Sequence, residues 1–207
     1  MAITRVPTLL QTGADLMAAS EAATDAHLRR ENERLNSELS RLRQRVLELE
    51  HAADTDPLVP VYNRRAFMRE VSRAQTVMSR YEILSSLIFL DLNGFKSIND
   101  RYGHGIGDQL LKKTGSVLIA GVRECDMVAR LGGDEFGVLL FKTDPHIAKA
   151  KAAALTCRIA EQYVSMPTGK IRVSAAWGVA PCEAGETAEQ ILSRADRAMY
   201  VAKRNKE

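Results

Sequence analysis

Apolar residues recur along this chain with two different periods. In the first quarter, Leu28, Leu35, Leu42 and Leu49 stand seven residues apart, and Asn32, Leu39 and Val46 fall between them. This is a heptad with Leu at d and Asn, Leu and Val at a, the pattern of a two-stranded parallel coiled coil. No Pro or Gly interrupts residues 20–53. Across such a pair Glu38 meets Arg43 and Arg45 meets Glu50, both attractive, while Glu31 meets Asn36. The spacing therefore predicts a dimeric helix over about 25–53, within an N-terminal region 1–53. A single solvated helix is the alternative that so few heptads leave open. The residues just before the heptads, "LMAASEAATDAHLRR", are not basic, which argues against a zipper that reads DNA.

Pro57 and Pro60 cannot continue the helix, and beyond them the pattern changes to alternating helix and strand signals over 54–207. Residues 63–80 read as a helix. "ILSSLIFLDL" (83–92) reads as a buried strand. Short helical material near Phe95–Arg101 is followed by a helix over 106–122. "DMVARL" and "EFGVLLF" read as a hairpin turning at Gly132 and Gly133. Asp144-Pro145 opens a helix to about Tyr163. "IRVSAAWGVA" (171–180) is a strand, and Thr187 with Gln190 forms a capping box for a last helix over 188–204. Such an order predicts an α/β (α+β) domain, one mainly antiparallel sheet with helices on its faces.

Composition narrows the function only a little. The chain has 207 residues and a net charge of +3, too small to argue for nucleic acid as a partner. Cys125, Cys157 and Cys182 lack metal-site spacing and read as reduced thiols. No run approaches a membrane span or a signal peptide, so a cytoplasmic location is expected.

Two strand ends carry chemistry. Asp91 closes the apolar run of 83–92 and is followed by Asn93-Gly94-Phe95-Lys96, a turn into a helix. Amides in such a turn suit phosphate oxygens, and Lys96 adds a positive charge. At the hairpin, Gly132-Gly133 precede Asp134 and Glu135. If the two strands are neighbours, Asp91 and Asp134 converge and repel unless a cation lies between them. Mg²⁺ is the natural choice, because it takes one or two carboxylates plus substrate phosphate oxygens. The glycines would then leave space for a ligand, although they also suffice for an ordinary turn with solvated acids.

Taken in order, "DLNGFKSINDRYGHGIGDQLL", "RLGGDEF" and "ADRAMYVAK" resemble the GGDEF family, the diguanylate cyclases, over about residues 54–205. The resemblance implies a palm-like nucleotidyl-cyclase fold and the condensation of two GTP into cyclic di-GMP and two pyrophosphates. It implies Mg²⁺ or Mn²⁺ as cofactor, held by Asp91, Asp134 and the Leu92 carbonyl, with Glu135 metal-associated or a base. It assigns Asn99 and Asp108 to the guanine edge, Lys96 and Lys203 to the terminal phosphates, and the amides of Asn93, Gly94, Phe95 and Lys96 to their cradle. Gly133 would clear room for the nucleotide. Each domain would hold one GTP, so catalysis needs a homodimer, which the coiled coil would supply. "RECD", Arg123 to Asp126, is similar to the family's product-inhibition motif. The chain departs from the family pattern at "LVPVYNRR", at Ala176 in place of Ser, and at Glu207 in place of Arg. A catalytically silent receptor for GTP or cyclic di-GMP is the alternative function, and a coiled-coil scaffold a third. Trp177 reads as core, and His104 as structural or pocket-lining.

Overall fold

The computed structural model describes residue 17 and residues 28–46, 53–167 and 169–204. The chain divides into two compact units, Met1–His51 and Ala52–Glu207.

In the first unit, residues 28–46 form helix α1. Leu28, Leu35, Leu39, Leu42 and Val46 are all 46–60% exposed, an apolar row left uncovered by the described residues. Charges stabilise the helix locally: the Arg34 guanidinium lies 2.7 Å from Glu31 and 3.9 Å from Glu38. Asn36 donates to the side chain of Asn32 within the same helix (2.7 Å). Leu49 and Glu50 of the expected heptads lie outside the described residues.

The second unit contains β1 (Tyr62–Asn63), α2 (Arg64–Tyr81), β2 (Ser85–Leu92), α3 (Phe95–Tyr102), α4 (His104–Ala120), β3 (Met127–Gly132), β4 (Glu135–Phe141), α5 (Pro145–Glu161), β5 (Val164–Met166), β6 (Gly169–Ile171), β7 (Ala175–Pro181) and α6 (Ala188–Arg204). Five strands form one sheet in the order β1-β3-β4-β2-β7. Only the β1–β3 pair is parallel. The palm-like, mainly antiparallel sheet wrapped by helices is as the sequence predicts.

Strand β2 lies between two others and is covered on both faces, which is why it reads as an unbroken apolar run. Its alternate residues feed two cores. Ile88, Leu90 and Leu92 pack with Leu110, Leu111, Leu118 and Leu155 of α4 and α5. Leu87 and Phe89 pack with Phe67 and Val71 of α2 and with Ile191 and Met199 of α6. Helix ends are capped as expected: Asp144 accepts from the amides of His146 and Ile147, and Thr187 and Gln190 cap each other reciprocally.

Two expectations change. The strand read over 171–180 is instead β7 at Ala175–Pro181, because Ile171 pairs back with Val164 in a small separate hairpin, β5–β6. Pro167 and Gly169 stand at the turn between β5 and β6. The helix read over 106–122 starts earlier, at His104, behind Gly103 at φ +82°. Among the described residues no helix is long and apolar enough to cross a membrane.

Candidate active site

The hairpin's register brings the predicted acids together. Asp91 of β2 is the direct partner of Glu135 of β4, and of Ala176 of β7 on its other side. Directly opposed residues of an antiparallel pair share a face, so two carboxylates stand side by side. Asp134 lies on the adjoining turn, and its carbonyl accepts from the Leu92 amide (3.3 Å). The turn itself needs glycine: Gly133 has φ +48°.

Electrostatics follow from this crowding. Burial pushes the Asp134 carboxyl upward, its own main-chain N–H pulls it down, the Asp91 charge raises it again, and Lys203 and Arg130 lower it. Glu135 is raised by burial, then by Asp91, Asp134 and Asp196, against a lowering by Arg64. Asp91 is paired already: Nζ of Lys203 lies 2.7 Å from its Oδ1. Alternation along β2 puts Asp91 on the face of Leu87 and Phe89, the face α6 covers. Helix α6 comes close because Gly178 has no side chain; a Cβ there would lie 2.1 Å from the Ala195 carbonyl.

The phosphate-cradle candidates adjoin the acids. Asn93 donates its side-chain amide to Ser174 Oγ (2.9 Å) and its main-chain N–H to the Ser174 carbonyl (2.8 Å), while its Oδ1 is buried with no partner among the described residues. Gly94, at φ +66°, opens α3 with no side-chain cap, so the first amides of that helix are available to an anion. Phe95 is buried below the turn and Lys96 is exposed above it. A cavity of about 360 Å³ lies beside Asn93 and Gly94, lined further by Trp177, Ala202 and Lys203. Trp177 is partly buried: it packs against the core, as expected, and also lines this cavity.

The guanine-edge candidates meet between α3 and α4. A Cβ on Gly107 would sit 2.0 Å from Asn99 Oδ1, so the glycine leaves the space that Asn99 fills. That Oδ1 is buried without a partner among the described residues, and half-buried Asp108 follows Gly107 in α4. An unsatisfied buried acceptor asks for an external donor.

Arg123 and Asp126 are elsewhere. They precede β3, at the end of the sheet opposite the acids, a strand length or roughly 20 Å away. The Asp126 side chain is fully buried. It accepts from the Arg123 amide (3.0 Å) and from the Phe141 amide (3.1 Å). The Arg123 guanidinium is 59% exposed, 3.6 Å from Asp126.

The donor set suits a hard divalent cation. Carboxylates that repel each other, one of them already neutralised by an ammonium group, form a place where added positive charge is favourable. Among the described residues no three His, Cys, Asp or Glu side chains enclose a metal by themselves. Mg²⁺ commonly takes one or two carboxylates and completes its shell with water and substrate phosphate.

Three residues of the site escaped the sequence reading. Asp56 and Arg130 form an ion pair (3.3 Å) behind the glycine turn, and Ser174 holds Asn93. Arg130 stands in the "RLGGDEF" stretch and was open to notice; Asp56 and Ser174 are distant in sequence and only folding brings them in.

Comparison with known proteins agrees with this fold. The GGDEF family, described as "Diguanylate cyclase, GGDEF domain", matches residues 53–207. The bifunctional diguanylate cyclase/cyclic di-GMP phosphodiesterase MucR of Pseudomonas aeruginosa is 35% identical over 86% of this chain and 26% of its own length. The diguanylate cyclase TpbB of the same species is 36% identical over 82% of this chain and 40% of its own length. The chain therefore spans less than half of these relatives. Among solved structures, the coiled coil and GGDEF domain of DgcB from Caulobacter crescentus, in complex with c-di-GMP, matches with a TM-score of 0.78 and 25% identity, over 86% of this chain and 95% of that one.

Proposed function

The chain belongs to the GGDEF, or diguanylate cyclase, family, and from that premise we propose that it condenses two GTP into cyclic di-GMP and two pyrophosphates. The observation that carries this reading is the register pairing of Asp91 with Glu135, with Asp134 on the adjoining turn and Lys203 within reach.

In this mechanism Asn99 and Asp108 bind the guanine edge, since Asn offers a donor and an acceptor and Asp accepts from N–H groups. The amides of Asn93 to Lys96 receive the β- and γ-phosphates, and Lys96 and Lys203 balance their charge. Gly133, lacking a side chain, lets the nucleotide lie against the turn. Asp91, Asp134 and the Leu92 carbonyl would hold Mg²⁺ or Mn²⁺. The bound cation supplies charge stabilisation to the phosphoryl group and the leaving pyrophosphate. Glu135, its proton affinity raised by burial and neighbouring acids, accepts the proton of the 3′-hydroxyl as that oxygen bonds to the α-phosphorus of the second GTP. The bond from that phosphorus to pyrophosphate breaks, and a second round closes the ring.

One domain holds one GTP, so two chains must face each other. The exposed row Leu28, Leu35, Leu39, Leu42 and Val46 supports pairing through α1 as a parallel coiled coil. Arg123 would contact the product away from the acids, with Asp126 holding its loop, giving feedback inhibition. A reaction that consumes GTP fits the cytoplasm.

The test is direct. The purified chain is incubated with GTP and Mg²⁺, and the nucleotides are resolved by chromatography at several protein concentrations. Cyclic di-GMP at a specific rate that rises with protein concentration is expected. Nucleotide that binds unconverted makes the domain a receptor instead, and absence of binding makes it a docking scaffold.

A further inference from the structure

Behind the glycine turn, one guanidinium joins two parts of the catalytic unit that are far apart in sequence. Nε and Nη2 of Arg130 both donate to the carbonyl of Gly133, at 2.9 and 2.7 Å. Its Nη1 lies 3.3 Å from Oδ1 of Asp56. Both side chains are only 15% exposed, so the pair is shielded from the screening that weakens surface ion pairs.

Asp56 is itself fixed. The same Oδ1 accepts from the amides of Leu58 (3.0 Å) and Val59 (2.8 Å). The Asp56 amide donates to the Val61 carbonyl (2.9 Å), and Thr55 bridges to Tyr62. The loop over 56–61 is then pinned on its other side. Val59 and Val61 are buried, and Val59 occupies the space Gly115 leaves, where a Cβ would lie 2.3 Å from Val59 Cγ1. Pro57 and Pro60 restrict the backbone between these anchors.

The clamped carbonyl belongs to the peptide that joins Gly133 to Asp134. Its oxygen is held by Arg130, and its N–H is the main-chain N–H of Asp134. A peptide is planar, so holding the oxygen fixes the N–H direction. Gly133, at φ +48° and without a Cβ, offers little rotational resistance of its own. Orientation has to come from outside, and the guanidinium fork is suited to give it.

We infer that Arg130 is a positioning residue for the proposed cyclisation: it aims the Gly133–Asp134 peptide, and Asp56 holds Arg130, so that the 56–61 loop and the acid-bearing turn move as one body. The loop immediately follows the boundary between the two units. A displacement of residues 56–61 is therefore delivered to the Gly133–Asp134 peptide through the Asp56–Arg130 pair, beside the β1–β3 pairing of Tyr62 with Ala129 and Asn63 with Arg130. The inference rests on the cyclase reading for its kinetic part only.

The experiment compares the full chain with Arg130→Lys, Arg130→Met, Asp56→Asn and the double variant Asp56→Asn/Arg130→Met. Steady-state kinetics give kcat and KM. Binding of a non-hydrolysable GTP analogue is followed through Trp177, the sole tryptophan, which lines the cavity beside Lys203. Hydrogen–deuterium exchange follows residues 131–136, and thermal unfolding follows the fold. Arg130→Lys is expected to stay folded and to lose about 10- to 100-fold in kcat, the range for residues that orient a site from behind it, with analogue affinity changed less than about threefold. Asp56→Asn is expected to lose less, with faster exchange in 131–136. The double variant should be no worse than Arg130→Met alone, because the two residues act in series.

Wild-type kcat in folded Arg130→Lys, unchanged exchange in Asp56→Asn, or losses that multiply in the double variant would each overturn the inference. A lowered unfolding temperature with normal kcat would make the pair merely structural. If the wild type makes no product, the cyclase reading fails, and exchange in the turn still decides whether Asp56 and Arg130 set it.

Discussion

Lys203 and Asp91, 112 positions apart in sequence, form an ion pair of 2.7 Å at the mouth of the site. The ammonium group takes the place where a metal would gain most from Asp91. Lys203 is also the group proposed to meet nucleotide phosphate, so one side chain has two competing partners.

The first prediction follows from that competition. Lys203→Met should tighten Mn²⁺ binding measured without nucleotide, by about three- to tenfold, because a half-exposed ion pair is worth about 1 kcal/mol. The same variant should weaken GTP analogue binding. Paramagnetic resonance of free Mn²⁺ reads the first effect and Trp177 fluorescence the second. Unchanged Mn²⁺ affinity would mean that the lysine does not guard the acid.

Asp134 gives a prediction with a definite sign in pH. Its carboxyl is raised from 3.8 chiefly by burial, so the ionised form is the one the fold disfavours. That penalty is present above the raised value and vanishes below the ordinary one. In chelator, Asp134→Asn should unfold about 2 °C higher than wild type near neutral pH, and the gap should close as pH falls below 3.8. Cyclic di-GMP formation should be lost with the fold intact. Turnover near wild type would reject Asp134 as a metal ligand. For Glu135 as base, the acid limb of kcat should lie above 4.5, the value from which it is raised.

Gly107 provides a steric test of the guanine contact. Its Cβ would meet Asn99 Oδ1 at 2.0 Å, so Gly107→Ala must push Asn99 aside. KM for GTP should rise about tenfold or more, with kcat less affected, since a lost ground-state contact appears mainly in binding. Asn99→Ala should bind guanine weakly in the same way, and adding Gly107→Ala to it should do little more. Independent effects in that pair would separate Gly107 from the contact.

Arg123 and Asp126 should behave differently despite sharing a motif. Arg123→Ala removes an exposed guanidinium and is expected to relieve product inhibition with little change in stability. Asp126→Ala removes the acceptor that holds the Arg123 and Phe141 amides, and should destabilise the fold by about 1–3 kcal/mol. Titration of activity with cyclic di-GMP, beside thermal unfolding, reads both. An unchanged inhibition curve in Arg123→Ala would leave only a structural ion pair.

What the sequence determined by itself was local. The apolar run of 83–92, short and followed by Asn93-Gly94, reads as a buried strand. Asp144-Pro145 and the Thr187/Gln190 box fixed helix starts, because caps act within a few residues. The ordered motifs around Asp91, Asn99, Asp134 and Lys203 identified the family. Periodicity did not separate β5 and β6 from β7, since a short apolar run has no period of its own. Which carboxylate faces which was decided by register, and a slip of one residue would have turned Asp91 to the other face. The meeting of Lys203 with Asp91 required α6 to dock against Gly178. The clamp on Gly133 depends on Arg130 meeting Asp56, 74 positions away. Such contacts depend on how whole elements pack, and no local spacing encodes them.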